Sequence, residues 1–179
     1  MSATGTGASE APPFHISGPS TVTRETVVND FRERMQGKLA DDTLEAAAAA
    51  MTAAVPMYTA MMIIINPVIY FRVQVIIDDS NAPTSPQFGG NGGGLFLPPI
   101  IWAKAGWFAG HVYGTDKSDL YHLCTYTHSF ELHITPVYSG ITFWSSYGTF
   151  IGHFEGGGLA ACIAGEGGGT GSWSHCPPQ

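Results

Sequence analysis

The sequence predicts a mainly β protein, an antiparallel, eight-stranded closed barrel with an N-terminal helical segment. Three observations lead there. From Met57 onward, short runs rich in β-branched and aromatic residues recur between glycine- and proline-rich breaks. Within the clearest run, Phe130, Leu132 and Ile134 alternate with Glu131 and His133, the pattern of a strand with one buried face. With 44% hydrophobic and 12% charged residues, 179 residues supply one sizeable core. A closed antiparallel barrel buries one face of each strand and removes the exposed edges at the same time.

The elements are expected in this order. Residues 1–22 read as a flexible polar leader without the basic start and apolar stretch of a signal peptide. A helical segment follows over 23–55. After Thr23, Val27, Phe31, Met35 and Leu39 recur every four residues, with Arg24, Glu25, Asp30, Glu33 and Arg34 on the remaining surface. Gly37 interrupts this helix. A second helix starts at Asp42-Thr43-Leu44-Glu45, which reads as a capping box with Asp42 at the cap, and runs through the alanines at 46–50 toward Pro56. The uncharged stretch 46–71 is broken by Pro56, Asn66 and Pro67, so it reads as interior strand in preference to a membrane-spanning helix.

The barrel domain is expected over 56–174, with a tail at 175–179. Candidate strands are 58–65, 68–77, 95–97, 100–107, 110–113, 120–127, 129–135, 140–145, 149–154 and 158–165, some of which must merge. Turns are expected at 78–81, 89–94, 114–117, 145–148, 155–157 and 166–169, where glycine clusters among 23 glycines suggest tight bends and close backbone approach. The stretch from Asn81 to Gly94 reads as the longest loop.

Candidate chemistry centres on histidines. If 120–127 and 129–135 pair as a hairpin, His122 approaches Glu131 or His133, a set that zinc or iron would accept; a solvent-facing polar side explains the same residues, and no recognised metal spacing is present. His153 and Glu155 share a strand face and, with His111, form a possible acid–base group. No nucleophile stands beside them. Trp102, Trp107, Phe108, Tyr113, Trp144 and Phe154 either line a small pocket, fill the core, or meet a membrane interface at one rim. The ligand-binding alternative therefore rests on Trp107, His111, His122, Glu131, His133, Trp144 and His153, with no cofactor and no metal assigned. The glycines at 165–171 lack the lysine of a phosphate-binding loop.

A formal charge of −7, without a basic stripe, argues against nucleic acid as a partner. A local patch of Arg72, Lys104 and Lys117 leaves a lipid membrane open; a protein partner is equally open. The stripe of Val27, Phe31, Met35 and Leu39 either docks on the barrel or joins two copies of the chain. Three cysteines, Cys124, Cys162 and Cys176, leave at least one unpaired within a monomer and contain no CxxC, which points away from a disulfide scaffold and toward a reducing compartment over secretion; with no classical signal peptide, the expected location is cytoplasmic or non-classically exported. Cys162 reads as a small buried hydrophobe.

The segments FWSSYGTFIGHFEGGG at 143–158 and GGGTGSW at 167–173 resemble the C-terminal half of the virulence-associated Vap proteins of actinobacterial pathogens. The resemblance extends over the barrel from Val68 onward. It implies an eight-stranded antiparallel barrel behind a variable N-terminal extension. It also implies a non-enzymatic protein acting by binding or interaction, with lipid membranes and the acidifying phagosome as one member's setting. No catalytic residue is inherited. The helical region through Ala54 and the missing secretory leader depart from a secreted member of that family.

Overall fold

Side-chain alternation, helix capping and glycine placement together account for the architecture. A computed structural model describes residues 22–65, 69–79, 84–97, 105–114, 120–135, 138–158 and 164–177. The expected leader through residue 21, Trp102, Lys104, Lys117 and Cys162 lie outside the described residues.

Helix α1 spans Arg24–Met35, with Thr23 accepting a hydrogen bond from the Thr26 amide at its N-terminus. It ends where Gly37 adopts φ 75°, a left-handed conformation that glycine takes without a Cβ penalty. Helix α2, Asp41–Ala53, begins one residue earlier than the expected cap. Asp42 is not the capping residue: Ala40 holds that position without a side-chain bond, and the Asp42 carboxylate accepts from the Thr43 amide. Leu44, Ala47, Ala48 and Met51 face α1, where the small alanines permit close packing. Arg32 grips Glu45 through two bonds of 3.1 and 3.0 Å across the helix pair. No helix among the described residues is long and apolar enough to cross a membrane.

Eight antiparallel strands follow: β1 Val55–Ile65, β2 Tyr70–Ile77, β3 Gln87–Leu97, β4 Ala105–Gly114, β5 Ser129–Ile134, β6 Ser139–Trp144, β7 Phe150–Gly158 and β8 Ala164–Ser174. They close into a barrel in the order β1-β2-β3-β8-β5-β6-β7-β4. The eight-stranded closed barrel and N-terminal helices are those read from the sequence. Phe71, Val73, Val75 and Ile77 of β2 point inward while Arg72, Gln74 and Ile76 point out, the period-two pattern in its plainest form. All six residues of β6 are buried because its inner face meets the barrel core and its outer face lies under the helices.

Two expectations are corrected. Residues 120–127 do not form a strand: Leu120–Tyr126 is a short helix, α3, whose Leu120, Leu123 and Cys124 bury one side at helical spacing. The glycine clusters are not turns either. Residues 89–94 lie inside β3, 155–157 inside β7 and 166–169 inside β8. Gly90 pairs with Gly171, Gly92 with Gly169 and Gly94 with Gly167. Gly94 and Gly169 allow close backbone approach, and the others also make room for rings: a Cβ at Gly90 would lie 2.6 Å from Phe130, at Gly92 2.9 Å from Phe71, and at Gly171 2.5 Å from Phe88. Phe71, Phe88 and Phe130 thereby fill the interior in edge-to-face contacts, with centroids 5.9 Å apart for Phe71 and Phe130 and 5.5 Å for Phe88 and Phe130.

The cysteine reading is corrected as well. Cys124 and Cys176, 52 residues apart, form a disulfide that ties α3 to the segment after β8. Helix α3 turns Cys124 toward the barrel end where Cys176 packs against the core, a meeting that residue spacing does not reveal.

Candidate functional site

The Val27, Phe31 and Met35 stripe is buried with Trp144 and Tyr138 of the barrel, and Leu39 packs at its margin. Of the two uses expected for it, this chain spends the stripe on its own barrel. Phe31 is fully buried and stacks on Trp144 at 6.3 Å. Docking this stripe carries Asp30 and Arg34, its sequence neighbours, over the outer faces of β5, β6 and β7.

A buried polar cluster results. Asp30 accepts from Arg34 Nε at 2.9 Å and from the Tyr138 hydroxyl. His133 is 3% exposed, and its Nε2 stands 4.0 Å from Asp30, too long for a hydrogen bond. Among the described residues neither His133 ring nitrogen makes a hydrogen bond. Gly140 is paired opposite His133, and a Cβ there would come within 2.2 Å of the imidazole, so glycine permits the ring to lie against β6. Burial, reinforced by the charges of Arg34 and His153, holds the His133 pKa well below its ordinary value. Tyr138 is pushed the other way, first by burial and then by its bond to Asp30.

His153 is buried beside this cluster and bonds Glu155 at 2.9 Å. The Tyr113 ring stacks on it at 4.9 Å with 7° between planes. Arg24 lies 5.0 Å above Tyr113 and also donates to the Ala54 carbonyl, which ties the start of α1 to the entry of β1. Burial and the Glu155 charge raise the Tyr113 pKa, against the opposing effect of Arg24.

Glu131, on the same face of β5 as His133, borders a groove beside the C-terminal end of α1. Burial raises its pKa, opposed by Arg34 and Lys38. The Trp144 indole N–H is directed toward Glu131 but completes no hydrogen bond.

The structure thus gathers Glu131, His133, Trp144 and His153 on the side covered by α1. Trp107 and His122 stand apart from them, while His111 lies at the edge of the group, across from the Glu155 that bonds His153. Trp107 stands half-exposed on the outer face of β4, and His111 is exposed there, opposite Glu155. His122 is exposed on α3 with its ring 4.7 Å from Tyr126. The expected approach of His122 to Glu131 or His133 is corrected, because it required a hairpin that α3 replaces. Among the described residues no three His, Cys, Asp or Glu side chains are placed to hold a metal ion. Sequence reasoning missed Asp30 and Arg34, which it assigned to the solvent side of the helix. Their positions immediately before Phe31 and Met35 were the available signal, since residues adjoining a docked stripe flank the interface.

The family model for the Rhodococcus equi virulence-associated protein matches residues 15–174. The chain belongs to this family. Among solved structures it is similar to the virulence-associated protein VapD from the intracellular pathogen Rhodococcus equi, at 25% identity and a TM-score of 0.56, covering 68% of this chain and 98% of that one. It is also similar to VapB from the same organism, at 30% identity and a TM-score of 0.53, covering 68% and 97%. No curated protein matches it significantly. The match is therefore to a virulence-associated barrel family.

Proposed function

We propose that this virulence-associated barrel works by binding, not by covalent catalysis, and that it docks on a lipid surface through the outer face of β1, β2 and β4. One observation carries the reading. Opposite the helical layer, Trp107 pairs with Ile63, and Met61 pairs with both Ile76 and Ala109, all directed outward. Toward one end of the same wall, Ile69 is 63% exposed, Tyr70 81% and Trp107 53%. Contiguous apolar surface of this kind, with a tryptophan and a tyrosine whose rings also have polar edges, suits a membrane–water boundary. Arg72 is exposed on this wall and supplies a positive charge near anionic headgroups. The barrel interior, filled by phenylalanine rings, leaves binding to the outside.

The test is co-flotation of the whole chain with phosphatidylcholine vesicles, with and without phosphatidylserine, at neutral and mildly acidic pH. Wild type is expected to float with the vesicles, and Trp107→Asp and Tyr70→Asp to stay in the dense fractions. Absence of wild-type flotation in every composition, or unimpaired flotation of both variants, overturns the proposal.

A further inference from the structure

We propose that the outer face of β2, β3, β8 and β5 binds a short oligosaccharide that ends in one acidic sugar. The strand register sets Arg72, Asn91, Thr170 and Ser129 side by side in one row, since Arg72 pairs with Asn91, Asn91 with Thr170 and Thr170 with Ser129. Directly paired residues point to the same side of a sheet, and the inward neighbours Phe71, Val73 and Phe130 fix that side as the outside. Arg72, Asn91 and Thr170 are exposed and Ser129 is partly so. With strands about 4.8 Å apart, the row is about 14 Å long.

The ground beside the row is bare. On one side Gly89 stands between Gln74 and Ser172, and on the other Gly93 pairs with Gly168. Ring packing explains the inward glycines of these strands but not Gly89, where an added Cβ would meet nothing within 4 Å. A position that has room for a side chain and lacks one lets a ligand come down to the backbone. A shallow cleft of about 470 Å³ opens at Tyr70, Arg72 and Asn91, where the row begins.

The groups in the row select the occupant. An amide and two hydroxyls both donate and accept, as sugar hydroxyls do, so each can be met along a chain of rings. Arg24, Arg32, Arg34 and Lys38 are engaged by the Ala54 carbonyl, Glu45, Asp30 and Glu166. Arg72 has no hydrogen bond or ion pair to any described residue, and no carboxylate stands in its row, so it suits one anionic group at the β2 end. A second anion at the Ser129 end would approach Glu131 on the same strand. A lipid tail finds no apolar side chain in the row. Arg72 also borders the lipid-facing wall proposed above, but Gly89, Asn91 and Thr170 lie outside it, so neither proposal depends on the other.

The experiment is an NMR titration of the full chain with sialyllactose, which has one carboxylate at one end, with lactose, which lacks the acidic sugar, and with N-acetylneuraminic acid alone. Sialyllactose is expected to bind and to shift the amides of Arg72, Gly89, Asn91 and Thr170, and either fragment to bind about tenfold more weakly or worse. Arg72→Gln should remove the advantage of sialyllactose over lactose. Gly89→Val fills open space that the fold tolerates and should cut sialyllactose affinity about tenfold, as should Asn91→Ala, with vesicle flotation unchanged in both. No binding of sialyllactose, equal binding of the three saccharides, or wild-type affinity in Gly89→Val overturns the proposal. Wild-type saccharide affinity with lost flotation in Gly89→Val would give this face to the lipid instead.

Discussion

Acid should loosen this protein through one imidazole. His133 is 3% exposed, carries no hydrogen bond on either ring nitrogen, and shares its enclosure with the Arg34 guanidinium. Its folded-state pKa is lowered, so between that value and the unfolded pKa of about 6.5 the unfolded chain binds a proton that the folded chain refuses. Stability is then complete above the unfolded pKa and falls as pH drops below it, by about 1.4 kcal/mol per pH unit for one such group. Against a total of roughly 5–15 kcal/mol for a domain, one unit of acidification is a substantial loss. Other groups face the ring: Asp30 and Arg34 from α1, Glu131 on its own strand, Tyr138 before β6, His153 and Glu155 from β7, and Glu166 across the β5–β8 pair. Glu131 acts in the opposite sense, since its raised folded pKa makes the folded chain take up a proton above the unfolded carboxyl value, and it flattens the slope near that range. The assay is urea unfolding at a series of pH values from about 7.5 down to about 5, spanning the free imidazole pKa. His133→Gln should flatten the slope whatever it does to absolute stability. An unchanged slope in that variant would falsify the assignment.

Three further predictions follow from packing. Gly140→Ala places a methyl group 2.2 Å from the His133 ring and should cost about 1–3 kcal/mol, with the His133 proton resonances displaced in NMR spectra. Phe31→Ala removes a fully buried ring from between the helices and Trp144 and should cost about 3–5 kcal/mol; hydrogen exchange should accelerate over 24–53 before it changes in β2 or β6, and a uniform acceleration would count against separate docking of the helical layer. Cys176→Ser opens the link to α3 and should cost about 2–4 kcal/mol in thermal unfolding, and reducing agent should lower wild type to the level of the variant; no response to reductant would contradict the pairing.

The alternating strands were legible because each presents two chemically different faces. In β2 and β5 the inward residues are aliphatic or aromatic and the outward ones mostly polar, so direction follows from period alone. The glycine strands were not legible, since glycine has no side chain with which to mark a face and its ordinary place is a turn. Their extended form comes from partners distant in the chain: β3 is flanked by β2 and β8, and the Phe71, Phe88 and Phe130 rings occupy the space above the glycines. Helix α3 has seven residues, too few for a helical period to stand out against tyrosine, cysteine and threonine, which strands accept readily. At the candidate site, His133 and His153 were visible as polar residues on strands. What hides their environment is the helical layer, because a polar strand face looks the same from sequence whether water or another helix covers it.

The glycine seam also determines where this barrel can be hollowed. Interior volume that most barrels draw from every strand is here borrowed from a few rings leaning over β3 and β8. Shortening Phe130 to alanine removes the ring nearest Gly90 and leaves bare backbone on the far wall, with no neighbouring Cβ on that glycine to collapse into the space. A vacancy made at that point should persist and admit a small apolar guest such as benzene, whereas a trimmed side chain on β1 or β2 has branched neighbours at hand to close the gap.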